Sequence, residues 1–315
     1  MDSFTPFVSV VMCAYNTRPF IEQAVASVLN QTYKNWELII VDDKSTDGTR
    51  EWLKTLDGNR QVRLFFQEKN AGYVASKNFG ISQAKGEYII QCDSDDYFDD
   101  QLLQKQIDVF RLNTDIKIVA CGFYTIDVAG IVKRTKALEK DLIIEETRSD
   151  YPFWFPPILV HKDVYSQVGL FTPFFMGLGD DLYWVTKANE SFKIYCLKEP
   201  LYYYRYNHGG ISKVLNDLKK ITRPMILHEL LRQRKKRGTD WLEEGAFEKL
   251  EVYEQKLLNN KKLMSNKFSK LSRKAVEFHH WDEASRLLKQ ALRTSPFNTN
   301  CYKAVLFYMR KRITA

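Results

Sequence analysis

The first hundred residues alternate between short apolar runs, rich in β-branched residues, and segments in which apolar residues recur every three or four positions. The apolar runs predict buried strands, and the helical spacing predicts helices between them. The predicted strands cover residues 7–12, 36–41, 62–66 and 87–92. The predicted helices cover residues 20–29, 49–53 and 73–84. Strands separated by helices predict an α/β fold with a mostly parallel sheet and right-handed crossovers.

The middle of the chain is less regular. A further strand is predicted at 116–120, and residues 127–130, Asp-Val-Ala-Gly, are typical of a hairpin turn. Residues 151–157 combine aromatic side chains with three prolines, which forbids a regular helix there. This segment is interpreted either as a wall of an acceptor pocket or as a rigid loop that faces the core.

Composition and charge divide the chain into two parts. The 315 residues are 44% hydrophobic and 14% aromatic, which is ample for one large or two ordinary domains. Residues 213–315 contain 24 Lys and Arg against 11 Asp and Glu, a net charge of +13, whereas the whole chain carries +8. Residues 1–212 are therefore acidic. We expect an α/β catalytic domain at 1–212 and a basic, all-helical region at 213–315.

Targeting signals and cysteines indicate the compartment. No apolar run approaches the ~20 residues needed to cross a bilayer, and the first residues lack the pattern of a secretory signal. The five cysteines are widely spaced, with no Cys-x-x-Cys motif, and are expected to be reduced and mostly buried. A cytoplasmic protein is the expectation.

Two acidic clusters carry the chemistry that the sequence predicts. Residues 93–96, Asp-Ser-Asp-Asp, follow a predicted strand, and Asp180 and Asp181 lie about ninety residues later. Hard carboxylate oxygens suit Mg²⁺ or Mn²⁺, and such ions usually keep phosphate oxygens in their shell. A distant second carboxylate is then available as a base. The pairing suggests displacement of a nucleotide diphosphate by a hydroxyl group.

The position of polar residues after the predicted strands indicates where this chemistry takes place. In open α/β sheets, ligands bind outside the carboxyl ends of the strands. Asn16, Asp43 and Asp93 each follow such an end and are expected to share one crevice.

Residues 1–212 resemble a family-two glycosyltransferase, an inverting enzyme with the Rossmann-like GT-A fold. The motifs that carry the resemblance occur in the family's order. They are residues 8–16 (VSVVMCAYN), 27–33 (SVLNQTY), 37–49 (ELIIVDDKSTDGT), 70–80 (NAGYVASKNFG), 93–96 (DSDD), 179–184 (GDDLYW) and 205–212. Each motif alone is weak, but their order over about two-thirds of the chain is specific.

The resemblance implies a role for each candidate residue. Donor-binding roles fall on Cys13, Tyr15, Asn16, Asp43, Lys77, Asp93, Ser94, Asp95, Arg205 and His208. Asp43 is expected to accept a hydrogen bond from a uracil-like base, with Tyr15 stacked beside it. Asp93, Asp95 and Asp96 are the expected metal ligands. His208 is an alternative ligand or a diphosphate contact.

The sequence offers two candidates for the general base and departs from the family pattern at three positions. Asp180 is the expected general base, with Asp181 as the alternative, because the residue before Asp180, often Glu, is Gly179 here. A common proline is replaced by Cys13, and the usual arginine by Lys77. An ammonium group cannot bind phosphate in the bidentate way that a guanidinium can.

The sequence thus predicts a metal-dependent transferase that moves a sugar from a nucleotide-diphosphate donor, with UDP favoured, to a growing surface glycan or lipid-linked glycan. One alternative is a sugar-phosphate nucleotidyltransferase, which residues 13–18 disfavour because they contain no glycine. The other is a non-enzymatic glycan-binding scaffold, which the intact aspartates disfavour.

The basic tail allows several partners. A solvated charged face is the default, while Lys235, Lys236, Arg237 and the run 310–312 beside apolar stripes also fit peripheral contact with an anionic membrane at its inner face. A homodimer contact is a further alternative. No nucleic-acid recognition motif accompanies the charge, so no nucleic-acid partner is expected.

Overall fold

The protein is described by a computed structural model over residues 4–148, 151, 153, 157–206, 217–277 and 280–313. It divides into two compact units, Met1–Val214 and Leu215–Ala315. The predicted boundary at residue 212 lies outside the described residues.

The first unit is built on one mixed sheet. Its strands are β1 (Val8–Ala14), β2 (Trp36–Asp42), β3 (Val62–Phe66), β4 (Tyr88–Asp93), β5 (Tyr97–Phe98), β6 (Ile118–Ile126), β7 (Val132–Lys136), β8 (Leu142–Ile144), β9 (Leu159–His161) and β10 (Ile194–Arg205). They are ordered β3-β2-β1-β4-β9-β6-β10-β5, with β7 beside β6 and β8 beside β10. The long pairings β1–β2, β1–β4, β2–β3 and β6–β10 are parallel, whereas the antiparallel pairings involve short strands.

Helices cover both faces of this sheet. They are α1 (Ile21–Leu29), α2 (Thr49–Lys54), α3 (Tyr73–Ser82), α4 (Leu102–Leu112), α5 (Lys162–Val168) and α6 (Asp180–Asn189). Because side chains alternate along a strand, Val10 and Met12 of β1 pack in one core layer and Val11 in the other. The central strands are therefore apolar on both faces, as buried parallel strands require.

Helix α3 lies unusually close to the sheet. Gly80 permits this approach, because a Cβ atom at that position would lie 2.5 Å from Cγ1 of Val11. The close packing places the amino-terminal half of α3, which carries Tyr73 and Lys77, near the carboxyl ends of β1 and β4.

The predicted strands and helices of the first 93 residues are confirmed to within a few residues. The turn at 127–130 is confirmed as well: Gly130 N donates to Asp127 O, and β6 and β7 pair antiparallel around it. Strand β6 runs six residues beyond its predicted end at residue 120. The segment 151–157 is described only in part; Tyr151 and Phe153 are buried in the core layer with Trp184, which agrees with the core-facing interpretation for these two rings.

The second unit is helical within its described ranges, as predicted. Its helices are α7 (Asp217–Arg237), α8 (Phe247–Asn259), α9 (Lys261–Glu277), α10 (Trp281–Thr294) and α11 (Thr299–Ile313). Phe268 of α9, Leu287 and Ala291 of α10, and Cys301 of α11 form its core. None of the helices in the described ranges combines the length and apolar character needed to span a bilayer.

Candidate active site

Three parallel strands end at one edge of the sheet. Ala14, the last residue of β1, is paired with Asp42 at the end of β2, and Cys13 is paired with Asp93 at the end of β4. The predicted residues that follow these strand ends therefore lie at the same edge, which is where open α/β sheets bind ligands.

Asp43 fixes the turn that leads into α3. Its Oδ1 accepts a hydrogen bond of 2.7 Å from Ala71 N, and its Oδ2 accepts one of 2.9 Å from Gly72 N. Gly72 has a φ of 88°, a conformation that favours glycine. Each oxygen of Asp43 retains a second lone pair, so these bonds are compatible with contact to a nucleotide base.

Tyr15, Asn16 and Cys13 form the end of β1 and the turn after it. Tyr15 is half exposed, so its ring is available for stacking. Asn16 has a φ of 53°, and its Oδ1 accepts from Thr46 N at 2.8 Å, which ties this turn to the one after β2. Burial raises the pKa of the Cys13 thiol, and nearby Asp93 adds to the shift, so the thiol stays protonated.

Asp93 interacts with side chains of α3 and α6. Its Oδ1 accepts a hydrogen bond of 2.9 Å from the hydroxyl of Tyr73 on α3. Burial raises the pKa of Asp93 to about 7, and the negative charges of Asp95 and Asp181 contribute to this shift. Asp181 thus acts electrostatically on Asp93 although 88 positions separate the two in the sequence.

Asp96 turns away from this group and connects to β10. Its Oδ2 accepts from the hydroxyl of Tyr202 at 2.7 Å, and its Oδ1 accepts from Arg205 N at 2.6 Å. Burial raises its pKa well above the usual range, with Asp95 and Asp93 adding to the effect. Protein donors bond both oxygens of Asp96, so the geometry favours Asp93 and Asp95 over it as metal ligands, and a metal role for Asp96 stays a prediction. Ser94, between the acidic residues, is buried.

A divalent cation needs several oxygen ligands, and the acidic motif meets this need only in part. Within the described ranges, no group of three or more His, Cys, Asp or Glu side chains is placed to hold a metal ion. Asp93 and Asp95 supply the hard carboxylate oxygens that such an ion prefers, and a cation would offset the repulsion by which Asp95 raises the pKa of Asp93.

Lys77 forms the centre of a buried charged cluster. Its Nζ donates to Asp180 Oδ2 at 2.9 Å and to Asp181 Oδ1 at 2.6 Å. It also lies 3.8 Å from the centroid of the Phe171 ring and 4.7 Å from that of Tyr73. Although burial lowers the pKa of Lys77, the carboxylates of Asp181 and Asp180 raise it above its ordinary value. Lys77 therefore remains a cation and is directed at the two candidate bases.

Asp180 and Asp181 differ in their access to substrate. The side chain of Asp180 is 0% exposed, whereas that of Asp181 is 31% exposed. Burial and the charge of Asp180 raise the pKa of Asp181 to about 6, against the lowering effect of Lys77. Asp181 is thus the more exposed carboxylate of the pair.

The conformation of Gly179 accounts for one departure from the family pattern. Its φ is 122°, which favours glycine, and α6 begins with the next residue, Asp180. A glutamate at this position would be strained. The two aspartates then occupy the first turn of α6, where the helix dipole favours negative charge.

Arg205 is the last residue of β10 and is buried. Its guanidinium donates to the carbonyl oxygens of Asp95 (2.8 Å) and Val128 (2.9 Å) and to Oε1 of Gln23 (2.7 Å). It joins the acidic motif to the β6–β7 hairpin and to α1, so contact with a diphosphate would have to replace some of these bonds. His208 lies outside the described residues.

Two tyrosines belong to the site although the sequence analysis did not select them. Tyr73 bonds to Asp93 and contacts Lys77, and Tyr202 bonds to Asp96. The position of Tyr73 four residues before Lys77 on a predicted helix was a usable signal, since such residues lie on one helix face. The sequence contained no comparable signal for Tyr202, because strand β10 was not predicted.

Comparison with families of known proteins identifies a match in the first unit. A family model described as glycosyl transferase family 2 matches residues 9–168, about half of the chain.

Similar curated proteins carry glycosyltransferase names. A putative teichuronic acid biosynthesis glycosyltransferase, TuaG of Bacillus subtilis, is 29% identical over 215 residues, which cover 67% of this chain and 84% of TuaG. The putative glycosyltransferase EpsE of the same organism is 30% identical over 66% of this chain and 76% of its own. An uncharacterized glycosyltransferase of Haemophilus influenzae is 36% identical, and there the match spans 40% of this chain and only 50% of the relative.

Solved structures show the same fold. S. aureus TarS 1-349 in complex with UDP-GlcNAc superimposes with a TM-score of 0.62 at 16% identity, covering 96% of this chain and 88% of the TarS chain. At this identity the likeness concerns the fold. Together with the family match, it confirms the predicted GT-A class, a mixed and mostly parallel sheet flanked by helices and followed by a helical region.

Proposed function

The chain belongs to glycosyl transferase family 2, and from this premise we propose that it is an inverting, metal-dependent glycosyltransferase. It takes a sugar from a nucleotide-diphosphate sugar and transfers it to a hydroxyl group of a glycan. The donor is a UDP-sugar, and the product belongs to a cell-surface polysaccharide or glycoconjugate.

The observation that carries this proposal is the convergence of Asp93 and Asp181. Tyr73 contacts both sides of the pair: its hydroxyl donates to Asp93, and its ring lies against Lys77, which bonds to Asp181. A donor-side carboxylate and a partly exposed second carboxylate are therefore linked through Tyr73 and Lys77. Such a pair supports displacement of a diphosphate by a hydroxyl group, because one carboxylate can help to bind the donor while the other accepts the proton.

Asp181 is the general base in this proposal, and Asp180 positions Lys77. A base must reach the proton that it removes, and its pKa should lie near the working pH. The 31% exposure of Asp181 and its pKa of about 6 support this role. This assignment differs by one residue from the sequence-based preference for Asp180, whose side chain is fully buried.

The proposed step follows from these positions. Asp181 accepts the proton of the acceptor hydroxyl as that oxygen forms a bond to the anomeric carbon. The bond between the anomeric carbon and the diphosphate oxygen breaks, and its electron pair leaves with the nucleotide diphosphate. Because the new bond forms opposite the leaving group, the anomeric configuration inverts.

The donor-binding side rests on the strand ends. Tyr15 and Asp43 are proposed to contact the nucleotide base, and Asp93 and Asp95 the ribose and a Mg²⁺ or Mn²⁺ ion. Such an ion, when bound, offsets negative charge on the diphosphate. The fold likeness to TarS, which was crystallised with UDP and UDP-GlcNAc, supports a UDP-linked donor.

The acceptor is proposed from the relatives. TuaG is named for teichuronic acid biosynthesis, and its match spans most of its length. We assign to this chain an acceptor of the same broad class, a growing glycan carried on a lipid or polymer.

A screen of nucleotide sugars tests this function. The chain is heated with UDP-, GDP- and dTDP-sugars, each with and without Mn²⁺, and with the free sugars as controls. A donor present at a hundred times its dissociation constant should stabilise the fold by roughly 2.7 kcal/mol. The stabilising donor should also be slowly hydrolysed. If no nucleotide sugar stabilises the chain or is hydrolysed with either metal, the proposal fails.

A further inference from the structure

The last helix, α11, presents a continuous apolar stripe to solvent. Its exposed members are Tyr302 (51%), Leu306 (67%), Met309 (56%) and Ile313 (86%). Their spacing of four, three and four residues places them on one face, within an arc of about 60° at 3.6 residues per turn. Single exposed apolar residues are ordinary, but an aligned row of four is not.

The opposite side of α11 seats the helix in its own unit. Cys301 and Ala304 are buried, and the hydroxyl of Ser265 on α9 contacts the sulfur of Cys301. The helix is therefore held by one side, and the apolar stripe does not contribute to the core of its unit.

Basic side chains border the stripe on both sides. At 100° per residue, Lys303 and Arg310 fall on one flank and Arg312 on the other. All three are exposed. We refer to the four stripe residues and these three basic residues as the α11 face.

We propose that the α11 face binds an anionic lipid bilayer, with the stripe at the level of the headgroups and upper acyl chains. An apolar face flanked by Lys and Arg is the pattern of helices that lie in the membrane interface. The basic flanks would contact acidic headgroups, whose negative potential attracts such residues. The net charge of +13 in residues 213–315 favours the same partner.

Charge argues against a second copy of the chain as the partner. A symmetric contact through the α11 face would bring Lys303, Arg310 and Arg312 close to their counterparts. Like charges held together at an interface oppose association, whereas an anionic surface neutralises them.

Co-sedimentation of the full chain with vesicles tests the proposal. One vesicle contains phosphatidylcholine alone, and the other contains phosphatidylcholine and phosphatidylglycerol in equal parts. We expect binding to the anionic vesicle, weakened but not abolished by high salt. The double variant Leu306→Ser/Met309→Ser should weaken binding about tenfold or more, and Lys303→Gln/Arg310→Gln should do the same.

Matched substitutions elsewhere in the helical unit serve as controls. Val252→Ser on α8 removes another exposed apolar side chain, and Lys270→Gln on α9 removes another exposed cation. Both should bind like the unaltered protein.

Failure to bind anionic vesicles, or equal binding by Leu306→Ser/Met309→Ser, would overturn the proposal. A dimer in analytical ultracentrifugation that this variant dissociates would overturn it as well. Vesicle binding requires no donor, so its failure is separable from failure of glycosyl transfer.

Discussion

The ammonium group of Lys77 lies 2.6 Å from Oδ1 of Asp181, in a setting where Lys77 itself is only 1% exposed. The same cation bonds to Asp180, so three charged groups from two helices form one cluster, in which Lys77 and Asp180 are buried and Asp181 is partly exposed. A buried cation adjusts a neighbouring carboxylate strongly, because little water is present to screen it. Stability and the proton affinity of the proposed base therefore depend on one lysine.

Replacement of Lys77 by Met should strongly destabilise the fold. The change leaves Asp180 buried without its cation, and loss of one partner from a buried ion pair costs about 3–5 kcal/mol. Urea unfolding at neutral pH measures the free energy of unfolding. As a control, Lys85→Met removes an exposed lysine and should change the free energy of unfolding by no more than about 0.5 kcal/mol. Equal effects of the two variants would show that the cluster contributes nothing to stability.

The rate of donor turnover should depend on the ionisation of Asp181. Its pKa is about 6, and only the ionised carboxylate can accept a proton, so the rate should fall as pH decreases through about 6. The cation of Lys77 lowers this pKa, so the acidic limb of the profile should move to higher pH in Lys77→Met. The measurement is kcat against pH for both proteins, restricted to conditions in which the variant is folded. A limb that stays in place would contradict the assignment of Asp181.

Asp95 and Asp96 should respond differently to truncation. Asp95→Ala should raise the Mn²⁺ concentration needed for activity. Asp96→Ala should lower the free energy of unfolding by about 1–3 kcal/mol, because Tyr202 and the Arg205 amide lose their buried acceptor. Activity should be lost in EDTA and restored by Mn²⁺. Full activity in EDTA would show that the reaction needs no metal ion. A shifted Mn²⁺ requirement in Asp96→Ala without loss of stability would show that Asp96 is a metal ligand.

Arg205→Met should lower the stability of the fold more than it lowers the affinity for the donor. Its guanidinium connects the acidic motif, the β6–β7 hairpin and α1 through hydrogen bonds to protein oxygens. Loss of these bonds should lower the unfolding midpoint, whereas Arg134→Met on the exposed β7 should leave it unchanged. A variant with native stability and weakened donor binding would instead support the diphosphate contact expected from the sequence.

The parts of this site that local sequence pattern predicts are those made by single strand–turn segments. Asp43 and Asp93 follow apolar runs that are long enough to be recognised as buried strands, and parallel pairing brings their ends to one edge. The same reasoning located α3 and the hairpin turn at Asp127. In each case the signal and the structure lie within about a dozen residues.

The parts that were not predicted depend on contacts between distant segments. Lys77 and Asp180 are 103 positions apart, and nothing local indicates that α3 and α6 meet. Asp96 and Tyr202 are 106 positions apart, and β10 was not recognised as a strand. The relative burial of Asp180 and Asp181 depends on how α6 packs. Two adjacent identical residues give no indication of which one will be buried.

The most direct test of the account compares Asp181→Asn with Asp180→Asn in one donor-turnover assay, with a saturating nucleotide sugar and Mn²⁺. Asp181→Asn should lower the rate by about 10²–10⁴-fold, the usual effect of removing a general base, while donor affinity stays near that of the unaltered protein. Asp180→Asn should retain far more of the rate and show its effect mainly in the free energy of unfolding. An inactive Asp180→Asn beside an active Asp181→Asn would contradict this assignment and identify the buried Asp180 as the general base.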